Sequence, residues 1–259
     1  MRITTLGDLL LDVIVLLDRP LVAGDDQTAV TRTGAGGPAA NVAAWARALG
    51  ADARFVGKRG DDAAAEIVLR ELLARGVEVV GPAEGRTGVV VSLASAGDRT
   101  MASDRGTSPD LAPRELDDAW FDCDVLHLSG YSLLREPIAA TAVAAARAAR
   151  GHGAQVSVDL STWTLVDDAF RARVHEVAAD VVFANERERA AVGDLDTRWV
   201  MKRGADGVHV DGCDYHALDC DVIDTTGAGD ALAAGFLVGG VALGLEAAAR
   251  CCAQLGAMP

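Results

Sequence analysis

Short apolar runs alternate along the chain with longer stretches in which apolar residues recur every three or four positions. Ile3-Thr4-Thr5-Leu6 has the pattern of a buried strand, and Leu9-Leu10-Leu11-Asp12-Val13-Ile14-Val15 resumes it past a break at Gly7. Residues 28–33 alternate as a polar strand, residues 42–49 form an amphipathic helix stopped by Gly50, and residues 53–56 make the next strand. A helix over 66–75 and a strand over 77–80 follow, which sets a β-α-β-α rhythm. Residues 87–95 alternate, turn at Ala96-Gly97-Asp98 and return through 99–103, the signal of a hairpin. Strands at 125–130, 155–159 and 181–184 resume the rhythm, with an alanine-rich helix over 139–150. Near the end, Cys220-Asp221-Val222-Ile223 is strand-like and residues 231–237 are helix-like, with a glycine cluster between them. The polar strand and the hairpin together predict a small β layer projecting from an α/β body, placed to cover a substrate and exclude water.

Composition narrows this picture. At 259 residues, 50% of them hydrophobic, the chain suits one large α/β domain over 1–259. A net charge of −14 argues against nucleic acid or an anionic membrane as partner, because both need clustered Lys and Arg. No uninterrupted apolar run reaches the length of a membrane span and the first residues lack signal-peptide architecture, so a cytoplasmic location is expected. The 5 cysteines contain no C-x-x-C pair and are read as reduced thiols, and the 5 histidines show no zinc-ligand spacing.

The chemistry concentrates in Asp224-Thr225-Thr226-Gly227-Ala228-Gly229-Asp230. A helix start carries unpartnered N–H groups and partial positive charge, and small residues let a phosphate approach the bare backbone. Asp230 falls in the first helical turn, where it is placed to take a proton from an attacking hydroxyl; plain capping by Thr225 or Thr226 meets the same pattern. Asp12, an isolated carboxylate in an apolar strand, suits two hydroxyls of a polyol or, equally, an edge position facing water. Gly34-Ala35-Gly36-Gly37-Pro38-Ala39-Ala40-Asn41 opens the next helix and lets a hydroxyl-rich ligand reach the backbone, with Asn41 adding a donor and an acceptor. These glycines also meet a loose dinucleotide pattern, but the strand before them is polar and no acidic residue ends the next strand. Asp159 ends a strand, a place for a substrate contact or a loop cap, and Asn185 with Glu188 supplies either hard oxygen ligands or a capped helix. No G-x-x-x-x-G-K-[ST] loop occurs.

Taken together, these stretches resemble the PfkB (ribokinase-like) family of carbohydrate and nucleoside kinases over nearly the whole length. Residues 224–230 are similar to its C-terminal signature and residues 36–41 to its N-terminal one. Val56-Gly57-Lys58-Arg59-Gly60-Asp61-Asp62 resembles its acidic turn, Asn185 with Glu188 its N-x-x-E element, and Lys202-Arg203-Gly204-Ala205-Asp206-Gly207 its nucleotide-side turn. The resemblance implies a three-layer α/β/α fold with a mostly parallel central sheet and a β lid formed from about 12–33 and 86–105. It implies transfer of the γ-phosphoryl group of ATP to a hydroxymethyl group of a sugar. A nucleoside kinase and a non-catalytic sugar-binding regulator of the same family are the alternatives.

By the same resemblance, Asp230 is the base and Gly227, Ala228 and Gly229 form the anion hole. Asp12, Gly36, Gly37 and Asn41 bind substrate, while Asn185, Lys202, Gly204, Gly207, Thr225, Gly227 and Gly229 bind nucleotide. Glu188 serves Mg²⁺ through water, and Asp224 and Thr226 a monovalent cation such as K⁺. Apart from the resemblance, the unpaired strand edges of an exposed lid sheet invite pairing with a second copy in a homodimer. Leu10 and Pro38 differ from the polar residue and the lysine of ribokinases proper. Only 29 residues follow Asp230, which predicts an open nucleotide pocket or one completed by a neighbouring subunit.

Overall fold

The computed structural model describes residues 1–95 and 98–259; Ala96 and Gly97 of the expected hairpin turn lie outside the described residues. Its larger sheet has nine strands in the order β13-β12-β11-β10-β9-β8-β1-β4-β5. Six of its strands carry the rhythm seen in the sequence: β1 (Arg2–Leu6), β4 (Asp52–Val56), β5 (Glu78–Val80), β8 (Val125–Ser129), β9 (Gln155–Asp159) and β10 (Val181–Ala184). They and β11 (Arg198–Lys202) pair in parallel, and β12 (Val208–Val210) and β13 (Cys213–Tyr215) close one edge antiparallel. A second sheet, ordered β3-β2-β6-β7, is built from β2 (Leu10–Leu17), β3 (Val30–Gly36), β6 (Thr87–Ser95) and β7 (Asp98–Gly106). This is the expected β layer, although β2 and β6 run parallel within it.

The strands sort their side chains by alternation, since successive residues point to opposite faces. Ile3, Phe55, Val125, Phe183 and Val200 enter one buried cluster with α1 (Pro38–Ala48), α2 (Ala63–Ala74) and α6 (Ala228–Cys252). Leu6, Val56, Leu126, Val158 and Val182 enter the other with α3 (Ile138–Gly151), α4 (Asp168–Val177) and α5 (Glu186–Val192). Two apolar faces clothed by helices make the three-layer α/β/α architecture.

Helix α1 begins four residues before the expected 42, because Pro38 at its first turn is preset for helix and Gly37 supplies the cap. Asp62 caps α2 through the Ala65 N–H at 2.9 Å, which again starts the helix earlier than its apolar pattern shows. The expected strand at Cys220-Asp221-Val222-Ile223 is not formed. Val222 and Ile223 are each 64% exposed, and the Ile223 N–H goes to the Cys252 carbonyl at the end of α6 instead of to a strand. Helix α6, with mean hydropathy 1.8 over its most apolar window, is long and apolar enough to cross a membrane. More than half of that window is buried inside the protein, and the helix is kinked at Gly239 and Gly240.

Candidate active site

Two helix starts meet over one face of the main sheet. Gly37 adopts φ 101° and a Cβ there would come within 2.4 Å of the Asp8 carbonyl, so the chain turns from β3 into α1 only with glycine at this point. That turn places Asn41 in the first turn of α1, 5% exposed. Gly227 caps α6 at φ 75°, and the same helix start delivers Asp230. The Asn41 side-chain amide donates to Asp230 Oδ2 at 2.7 Å, and the Asn41 Oδ1 atom is buried with no protein partner.

Burial pushes the half-buried Asp230 carboxyl up to about 7, with the Asp159 and Asp12 carboxylates adding to the rise against the Asn41 hydrogen bond and the Lys202 charge. Asp12, on β2, is therefore close enough to act on Asp230. It also lies against the Gly36 backbone, since a Cβ on Gly36 would fall 2.2 Å from its carboxylate. The four residues expected on the substrate side, Asp12, Gly36, Gly37 and Asn41, are thus gathered around Asp230.

Beyond Asp230 the floor is acidic. Lys202, the last residue of β11 and not part of the turn after it, donates from Nζ to Asp159 Oδ1 and Oδ2 at 2.8 and 2.7 Å, with Glu188 Oε2 at 3.8 Å. Burial draws the Lys202 ammonium downward, but the two carboxylates outweigh it and hold its pKa above the ordinary lysine value. Burial likewise pushes the Glu188 carboxyl up, against the Lys202 charge. Asn185 and Glu188 form a reciprocal capping box on α5: the Glu188 N–H donates to Asn185 Oδ1 at 2.9 Å and the Asn185 N–H to Glu188 Oε2 at 2.8 Å. Both readings of this pair therefore bear on the same atoms, and the cap is what the contacts display.

Next to Lys202 opens a cavity of about 500 Å³ lined by Lys202, Gly204, Gly207, Thr225, Ala228 and Gly229, with an apolar wall from Val208, Leu218, Val222, Leu232 and Leu245. The shape suits a flat apolar group at one end and anionic groups at the α6 helix start. All the lining residues belong to this chain between 202 and 252. The last residues pack behind the α6 start: the Trp45 indole N–H donates to the Ala257 carbonyl at 2.8 Å, and a Cβ on Gly227 would meet Ala257 at 2.5 Å. Asp224 turns inward, with Oδ1 accepting from the Thr226 N–H at 2.9 Å and Oδ2 from the Gly256 N–H at 3.1 Å. Among the described residues no group of three or more His, Cys, Asp or Glu is arranged to hold a metal ion.

Two features escaped the sequence. Arg105, at the end of β7, binds Asp8 through both carboxylate oxygens at 2.7 and 2.9 Å and lies 5.9 Å over the Tyr131 ring. Burial, with the Asp159, Asp230 and Glu188 carboxylates adding to it, pushes the Tyr131 hydroxyl upward against the Arg105 charge. No local motif announces an ion pair across 97 residues.

Comparison with known proteins bears on the family and the fold. The profile of the pfkB family carbohydrate kinases matches residues 2–258. An ATP-dependent ribose-1-phosphate kinase from Halopiger xanaduensis is 34% identical over 96% of this chain and 90% of its own. Fructokinase-2 from Oryza sativa subsp. japonica is 32% identical over 78% of this chain and 70% of its own. The crystal structure of adenosine kinase from Sinorhizobium meliloti superposes with a TM-score of 0.86 at 26% identity, covering 99% of this chain and 95% of that one.

Proposed function

The chain belongs to the pfkB family of carbohydrate kinases, and from that premise we propose that Asp230 is the base of an ATP-dependent sugar phosphorylation carried out in the cleft between α1 and α6. The observation that carries this reading is the 2.7 Å hydrogen bond from Asn41 to Asp230, because it joins the expected sugar side to the expected phosphate side at one carboxylate. Asn41 fixes Oδ2, which leaves Oδ1 of Asp230 to meet a hydroxymethyl O–H. The sugar's other hydroxyls fall to Asp12, the Gly36-Gly37 backbone and the Asn41 carbonyl oxygen.

As the new O–P bond forms, the ionised Asp230 takes the hydroxyl proton, the N–H groups of Gly227, Ala228 and Gly229 hold the transferring phosphoryl group, and ADP leaves. The adenosine end lies along the apolar wall of the cavity, past Gly204, Gly207 and Thr225, with Asn185 near the phosphates. Mg²⁺ fits this donor set only through water and phosphate oxygens, because Lys202 already engages Asp159 and approaches Glu188. When bound it would neutralise charge on the phosphates. A monovalent cation at Asp224 and Thr226 would steady the same loop. The lid sheet, carrying Asp12, would shut water out, and its outer strands β3 and β7 offer edges for a homodimer. Dependence on ATP and five unpaired cysteines, of which Cys213 is exposed, both fit a cytoplasmic location.

The relatives widen the acceptor panel beyond free sugars: one phosphorylates ribose 1-phosphate by its name, and adenosine kinase shares the fold. An ADP-release assay with fructose, ribose, ribose 1-phosphate and adenosine tests the reading. ADP release stimulated by at least one of these supports it; sugar binding by calorimetry with no turnover on any sugar or nucleoside leaves only the sugar-binding regulator.

A further inference from the structure

The one lysine that the described contacts place on the acidic floor has more donors than its partners use. Lys202 Nζ stands 2.8 and 2.7 Å from the two oxygens of a single carboxylate, Asp159, both on one side of the nitrogen, and Glu188 at 3.8 Å is beyond hydrogen-bond range. An ammonium carries three donors. Lys202 also lines the cavity, and its Nζ lies 3.8 Å from where a Cβ on Gly229 would project, so the ammonium stands against the first turn of α6. On its far side are two carboxylates, Asp159 and Glu188, whose side chains are 7% and 6% exposed. A polyphosphate entering such a floor meets repulsion unless a cation stands between.

We propose that Lys202 grips the terminal phosphoryl group of the nucleotide with its remaining N–H, and that this contact lets the site tell ATP from ADP. The inference rests on the kinase reading above and adds a catalytic residue to it. The glycine amides at the α6 start serve phosphates common to both nucleotides; Lys202 serves the one that only ATP has. A charge-assisted hydrogen bond in a site shielded from water also neutralises charge as the phosphoryl group moves to the acceptor. Asp159 is the positioning residue: its two oxygens hold Nζ from one side, which leaves N–H donors on the other side for the phosphoryl group. A bridge that merely neutralised a buried carboxylate would make no difference between nucleotides.

Calorimetry with ADP and with a non-hydrolysable imido analogue of ATP separates these roles. The double variant Lys202→Met/Asp159→Asn removes both partners of the 2.7 Å bridge, and Glu188 keeps its bond from the Asn185 N–H. It should bind ADP within about threefold of the wild type while the ATP analogue weakens about 10- to 100-fold, the usual worth of a hydrogen bond to a charged group. The single variant Asp159→Asn, which keeps the lysine, should show a smaller loss confined to the ATP analogue, and it carries the test if the double variant does not fold. Equal losses for both nucleotides, no loss for either, or a wild type that binds the two equally well would overturn the role of Lys202 and leave the kinase reading standing. A wild-type protein that binds neither nucleotide overturns the kinase reading itself.

Discussion

The Asn41 amide holds Asp230 Oδ2 at 2.7 Å across 189 residues of chain, and so joins the start of α1 to the start of α6 in the cleft. The bond also opposes burial, since it favours the charged carboxylate. Replacing Asn41 by Leu should therefore raise the pKa of Asp230 above about 7 and let the base swing out of line. The expected result is a fall in kcat/KM of about 100-fold, with the pH midpoint displaced to higher pH. Steady-state kinetics at several pH values check both parts.

With Asp230 as the proposed base, its carboxyl near 7 sets the acid limb expected for the reaction. Below that pH the base is protonated in the free enzyme, so kcat/KM should fall about tenfold per pH unit. A pH–rate profile with an acid limb centred near the ordinary carboxylate value would remove burial as the controlling factor.

Two buried groups make opposed contributions to stability. His127, hydrogen-bonded to Ser157 at 3.0 Å, is drawn down to about 4 by burial. Its folded pKa lies below the unfolded 6.5, so its contribution is fully present above pH 6.5 and is lost as pH falls toward 4. Asp230 runs the other way: its folded pKa of about 7 lies above the unfolded 3.8, so stability is lost as pH rises from 3.8 to 7. Asp230→Asn should accordingly raise the melting temperature at pH 8, by the equivalent of up to about 4 kcal/mol, and should expose the acid sensitivity due to His127. His127→Gln should reduce the loss of stability on acidification from pH 6.5 toward 4. Thermal melts between pH 4 and 8 read both slopes.

Gly36→Ala sets a methyl group 2.2 Å from the Asp12 carboxylate. One of the two must move, and the substrate side of the cleft changes shape while the cavity around Gly204 and Gly229 does not. KM for the acceptor should rise about tenfold or more, with ADP affinity unchanged.

Arg105→Met strips the bidentate partner from Asp8, whose side chain is 3% exposed. Leaving that charge unpaired should cost about 3–5 kcal/mol, and the additional change Asp8→Leu should recover part of it. Chemical denaturation of the single and double variants measures the difference.

How much of this could be read from the sequence depends on the range of each interaction. The glycine-rich turns that open α1 and α6 were legible because a close backbone approach requires small residues there, although α1 starts four residues earlier than its apolar pattern shows, and the strands were legible because alternation feeds two separate cores. Cys220 to Ile223 misled because a short apolar run before a glycine turn has the pattern of a strand; Val222 instead lines the cavity and remains exposed. Asn185 and Glu188 stayed ambiguous because a capping box and a metal site call for the same oxygens. Arg105, Asp8 and Tyr131 carry no local signature, since only the placement of the lid against the main sheet brings them together.

The most direct test of Asp230 as the base follows the γ-phosphoryl group of labelled ATP into the acceptor. The wild-type protein should place the label on a sugar, a sugar phosphate or a nucleoside, and Asp230→Asn should bind nucleotide normally yet form labelled product at least about 1,000-fold more slowly. Labelled product formed at the wild-type rate by Asp230→Asn, or label found only in inorganic phosphate with the wild type, would contradict the account.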